Sequence, residues 1–203
     1  MARLARWAPL TGVIAVVLFV VAILVSGESP DTDVKNAQAI VDFFSEDKQD
    51  VSGVLLAYSG LFIVAFGIAL VRVLGLAGTP ALGVGALAGT LLMAVAIGGF
   101  ATQQIELADL AGTIEPETFR AMYGAPTNFI ALLVGGAILV WSFGFAALAS
   151  PLLPSWLGWV SIPLALVLVT PLGFFVSLVL ALWIVAVTVV AVRLVGREEP
   201  VTV

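Results

Sequence analysis

The chain has 203 residues, of which 62% are hydrophobic and only 10% charged, well below the roughly 25% charged residues of a soluble domain. It contains no Cys and no His, which removes disulfides, thiolate and imidazole metal sites, cysteine nucleophiles and histidine acid/base pairs. Eight Lys+Arg against 13 Asp+Glu leave a net charge of −5, so the basic footprint that nucleic acid requires is missing.

A helix crossing about 30 Å of hydrocarbon needs about 20 mostly apolar residues, because lipid satisfies no backbone polar group. The first such run is Ala8 to Ser26, preceded by Arg3 and Arg6. It is long for the apolar region of a signal peptide and no small-x-small cleavage site follows, so it is read as a signal anchor and first span. The loop 27–50 comes next. Its Ser29-Pro30-Asp31-Thr32-Asp33 offers N-cap residues, and Val34, Ala37, Val41 and Phe44 then recur at helical spacing. Ile40 widens this stripe and Asp42, Glu46 and Asp47 flank or oppose it, which predicts an amphipathic helix that docks Val41 and Phe44 on the membrane-facing body. Such a helix is either a lid over an outward cavity or an element lying at the interface.

The second span is Val51 to Leu74, where Gly53, Gly60 and Gly67 mark one packing seam. The third is Thr79 to Ala101, with Ala81, Gly85 and Gly89 in a row that lets another backbone approach closely. Its helix is expected to continue through Gln103, Gln104, Glu106 and Asp109 to a stop at Gly112. Within the loop 102–127, Glu115-Pro116-Glu117 reads as a helix start, followed by Phe119, Met122 and Tyr123 on an apolar side. Glu106 and Asp109 share a helix face and can in principle hold a cation, but two carboxylates alone make a poor site, and solvated surface acids are the plainer reading.

The fourth span is Asn128 to Ala149. From Leu152 to Leu194 the apolar stretch is too long for one crossing, and Thr170-Pro171-Leu172-Gly173 reads as a turn that divides it into Leu152 to Thr170 and Leu172 to Leu194. Pro163 should kink the fifth span. Trp156 and Trp159, after Pro151 and Pro154, read as a depth anchor at the headgroup level. The sixth span carries a second small-residue row, Gly173, Ser177 and Ala181. Both small-residue rows suit homodimerisation or packing within the chain. Thr90, Ser142, Ser161 and Ser177 suit either a small polar cavity or bonds back to their own helices.

The expected fold is thus an all-α membrane protein, a six-transmembrane-helix bundle with short helices in its two long outer loops. Placing the N-terminus inside puts Arg3, Arg6, Arg72, Arg193 and Arg197 in the cytoplasm and Lys35, Lys48 and Arg120 outside. This is a multi-pass protein of the plasma membrane, in a bacterium the inner membrane, with both termini cytoplasmic. The spans contain no Asp, Glu, His or Lys, and Arg72 and Arg193 lie near inner ends from which they can snorkel. A proton-coupled transporter, a charged-filter channel and an intramembrane protease therefore find no support.

Leu153-Pro154-Ser155-Trp156-Leu157-Gly158-Trp159, followed by Thr170-Pro171-Leu172-Gly173-Phe174-Phe175, resembles a recurring pattern in bacterial polytopic integral membrane proteins of unknown function. Pro30-Asp31-Thr32-Asp33 and the Ala-containing stretch ending in Phe43-Phe44 share the likeness. It implies a small multi-helix membrane protein and brings no catalytic residues.

The leading functional expectation is a non-enzymatic membrane protein that engages a protein or lipid partner, or a second copy of itself, through its outer cap or helix faces. No cofactor is expected. Its rival is a small-molecule or lipid transporter or binding protein with a pocket between the spans. An enzyme working through Glu106, Asp109, Glu115 or Glu117 is third. A deep polar-lined cavity favours the rival, and a filled bundle favours the first.

Overall fold

The computed structural model describes residues 7–28, 30, 37–123, 129–170 and 172–196. Arg3, Arg6, Asp31, Val34, Lys35, Asn128, Pro171 and Arg197, on which parts of the expected loops and orientation rest, lie outside these. All regular structure among the described residues is helical. A 3-10 turn, Ala8–Leu10, leads into α1 (Thr11–Ser26), followed by α2 (Ala37–Phe44), α3 (Lys48–Leu76), α4 (Pro80–Leu110), α5 (Pro116–Tyr123), α6 (Phe129–Ala149), α7 (Ser155–Leu168) and α8 (Gly173–Gly196).

Five of the helical segments are long and apolar enough to cross a membrane: Ala8–Ser26, Lys48–Leu76, Pro80–Leu110, Phe129–Ala149 and Phe175–Gly196. The stretch expected as a fifth span of six is shorter than predicted. α7 has 14 residues, about 21 Å at 1.5 Å per residue. Hydropathy hides this because both ends of the apolar run are turns: Pro151 to Leu153 precede an extended Pro154 at the N-cap, and Thr170 Oγ1 accepts from Leu172 N–H at 3.3 Å after α7 has ended. α3 and α4 depart in the other direction, with 29 and 31 residues, about 44 and 46 Å. They are joined by a tight turn in which Gly78 takes φ +79° and Thr79 N–H donates to Leu74 O at 2.8 Å, and Pro80 opens α4 where its missing N–H costs nothing.

Glycines set the helix contacts. Along α3, Gly53 faces Ala101 and Ile105, Gly60 faces Ala94 and Ile97, and Gly67 faces Thr90, so the seven-residue seam runs the length of α4. On its other side α4 crosses α6. A Cβ at Gly89 would stand 2.6 Å from Leu139 N and 2.7 Å from Gly135 O, and a Cβ at Gly135 would stand 2.7 Å from Gly89 O. Hydroxyls join other pairs: Ser52 and Ser59 of α3 donate to Ala22 O and Ala15 O of α1 at 3.0 and 2.9 Å, while Trp183 Nε1 of α8 donates to Ser161 Oγ of α7 at 2.9 Å. Two apolar clusters result. The larger fills the bundle, around Phe66, Leu139, Phe143 and Leu157; the smaller joins α2, α5 and the overhanging end of α4 through Ile40, Val41, Phe44, Leu107 and Phe119.

Candidate functional site

Between these two clusters lies a cavity of about 360 Å³, within the range of small-molecule sites. Its floor and walls come from the upper parts of α1, α3, α4 and α6, among them Phe19, Ile23, Leu56, Phe100, Phe129 and Leu132, and its roof from Phe43 and Phe44 of α2 and Tyr123 of α5. The roof is stiffened by ring contacts. Phe44 lies 5.7 Å from Phe119 and 5.5 Å from Tyr123, centroid to centroid, both edge-on, and Tyr123 Oη donates to Pro30 O at 2.9 Å. At the rim, Lys48 Nζ sits 5.9 Å from the Phe43 ring centroid and 2.7 Å from Glu46 Oε2.

One wall is polar without being charged. Ser26 Oγ donates to Gln49 Oε1 at 2.9 Å, and Gln49 Nε2 returns a bond to Ser26 O at 3.2 Å. Gln104 Nε2 donates to Ser26 Oγ at 3.3 Å and also to Gln49 Oε1. Gln49 is fully buried, and a buried amide persists only where its partners offset the loss of water. Ser26 and Gln104 line the cavity itself, and Gln103 adds a second amide. Since both bonds of Gln104 use its NH2, its carbonyl oxygen is the function left for a guest. Among the described residues no Asp, Glu, Lys or Arg lines the cavity, so this surface favours a neutral polar group over an ion.

The residues singled out from the sequence fall in several places. Val41 and Phe44 are buried, 4% and 3% exposed. They dock on α5 and the end of α4 rather than directly on the bundle, with Asp42 outside in solvent. Gly85 faces Ser142 and Gly89 faces the α6 backbone, inside one chain. Gly173 is pressed on the backbone of Leu168 and on Leu133. Ser177 lines a separate apolar cavity of about 60 Å³. Glu106 and Asp109 are exposed and outside the capped cavity, and no cluster of three or more acidic residues able to hold a metal occurs among the described residues.

Sequence reasoning missed Gln49, Ser26 and the aromatic walls Phe19, Phe100 and Phe129. Gln49 sits in Glu46-Asp47-Lys48-Gln49-Asp50, a stretch that reads as solvated. The usable signal is Gln103-Gln104, two amides at the edge of an apolar run. Comparison with family models, curated proteins and solved structures finds no match.

Proposed function

We propose that the protein is a six-pass plasma-membrane protein that binds a small amphipathic molecule or lipid in the capped cavity, to hold it or hand it across. The observation that carries this reading is the aromatic-walled cavity with an uncharged amide and hydroxyl wall at one end of an apolar bundle. Alternation of α1, α3, α4, α6, α7 and α8 gives the six passes, with α7 returning beside α6 over most of its length. In this reading both termini are cytoplasmic and the cap is outside, which is supported by the five-to-three division of Lys and Arg along the sequence, with Arg72 and Arg193 opposite the cap and Lys48 and Arg120 at it.

The leading expectation from the sequence, a non-enzymatic protein that engages a protein partner through its outer cap or helix faces, is less well supported, since Val41 and Phe44 spend the cap's apolar stripe on α5 and α4. Likewise Gly85 and Gly89 are occupied by α6, which favours packing within the chain over homodimerisation.

Photo-crosslinking in lipid nanodiscs tests the reading. A diazirine-bearing monoacylglycerol should label peptides from Phe100 to Leu107 and around Phe43 and Phe44, saturably. Gln104→Leu should weaken labelling about tenfold, the loss of a hydrogen bond worth about 1.4 kcal/mol. Labelling confined to lipid-facing residues such as Ile68 and Val95 would remove the site.

A further inference from the structure

A second cavity lies against the floor of the cap cavity. Phe19 of α1 and Leu132 of α6 line it from above and also line the smaller cavity below, of about 60 Å³. That lower space lies among α1, α3, α4, α6 and α8, bounded by Ala15, Ile63, Met93, Ile97, Leu180 and Ile184. Its chemistry differs from that of the upper space. Among the described residues its polar lining is limited to Ser59, whose hydroxyl donates to Ala15 O at 2.9 Å, and Ser177, which has a partner of its own. The upper cavity offers amides, and the lower one offers hydrocarbon.

We infer that the two cavities form one site, divided by Phe19 and Leu132, for an uncharged amphiphile with a single chain: its hydroxyl-bearing head meets Gln103 and Gln104 and its tail threads past the divide toward Met93 and Ile97. This rests on the capped cavity being a binding site. It adds the ligand class, the direction of binding and the two residues that set chain length. Among the described residues neither lining holds Asp, Glu, Lys or Arg, and Lys48 at the rim is already paired with Glu46, so the charge of a fatty acid or an alkylamine would be desolvated without a counter-ion of its own. The Gln104 carbonyl oxygen calls for a donor, which a glycerol or alcohol head supplies and an ester alone does not. The lower space, about 60 Å³ against about 360 Å³ above, is the narrower of the two, so a chain is held most closely at and below the divide.

The test measures displacement of the diazirine monoacylglycerol by monoacylglycerols of increasing chain length, in nanodiscs, with each competitor expressed as its free aqueous concentration, so that the tail is counted from water. The parent should show affinity rising with length and then a plateau. Phe19→Ala and Leu132→Ala should move the plateau to longer chains, each extra methylene admitted strengthening binding about fourfold, equivalent to about 0.8 kcal/mol per buried CH2. Phe19→Trp should move it to shorter chains, which keeps the test decisive if a truncated variant fails to fold. A fatty acid and an alkylamine of the best length should each compete at least tenfold more weakly. An unmoved plateau in all folded variants, or equal competition by the charged analogues, overturns the inference while leaving the cavity a binding site. Failure of every monoacylglycerol to displace the probe from a parent that it labels at the cap also overturns the inference. Failure of the probe to label the cap at all removes the binding site itself.

Discussion

Gly89 and Gly98 stand on one face-to-face scale of tolerance within α4. A Cβ added at Gly89 meets the Leu139 and Gly135 backbone, whereas one added at Gly98 meets nothing within 4 Å. Backbone cannot rotate away as a side chain can, so Gly89→Ala should cost about 1–3 kcal/mol through overpacking. Gly98→Ala should instead stabilise by about 0.5–1 kcal/mol, since it only removes backbone freedom from the unfolded helix. Unfolding midpoints of both variants in one detergent decide the matter, and equal shifts would mean that α4 and α6 do not cross closely there. The row of small residues was readable because its spacing is local. Its partner was not, because nothing near Gly89 in sequence names Gly135. The same limit hid the amide wall, whose bonds join Ser26 to Gln49 and Gln49 to Gln104 across 23 and 55 residues.

At the scale of elements, the described parts of α2 and α5 are 8 residues each, and an 8-residue stretch of helix is not stable alone in water. They hold one another through Phe44, Phe119 and Tyr123 and hold the end of α4 through Leu107. Phe44→Ala should therefore cost about 3–5 kcal/mol of local stability. It should also raise amide exchange in 37–44 and 116–123 together, with the α3 interior unchanged. Faster exchange in 37–44 alone would show that the two helices are independent. The stripe of α2 was legible from its spacing, and the acids on its far face follow from the same periodicity. What it docks on was not legible, because an apolar stripe specifies burial without specifying a neighbour. α7 shows the complementary failure: a run apolar enough to span contains turns that composition does not distinguish from helix, and only Pro154 and Thr170 marked where the helix stops.

For the whole molecule, the start of α1 lies beside Phe66 and Thr188, with Gly12 between them, and Arg193 and Leu194 near the end of α8 line a groove with the Pro151 to Pro154 turn. With no native Cys, single cysteines report sidedness directly. On the proposed topology, Thr118→Cys should react with an impermeant thiol reagent on intact cells, while Gly78→Cys and Leu152→Cys should react only after permeabilisation. Reaction of Gly78→Cys and not Thr118→Cys on intact cells would invert the orientation, and protection of only one of Gly78→Cys and Leu152→Cys would break the alternation.

The unequal helix lengths have a consequence for the surrounding lipid. With α3 and α4 each longer than about 40 Å and α7 about 21 Å, the protein presents a tall flank and a short one. On the short flank a groove of about 400 Å³ opens between Phe129, Leu133 and Val134 of α6 and Leu168 to Thr170 at the end of α7. On the proposed six-pass topology, a membrane meeting such a body thins on one side, at a cost of fractions of a kcal/mol per ångström of hydrophobic mismatch. Thermal stability in nanodiscs built from phosphatidylcholines of graded acyl length should therefore peak in a thinner bilayer than an even-sided bundle would favour, with short-chain lipids gathering at the α6–α7 edge. In a membrane of mixed thickness, that asymmetry would sort the protein toward thin regions and tilt it within them.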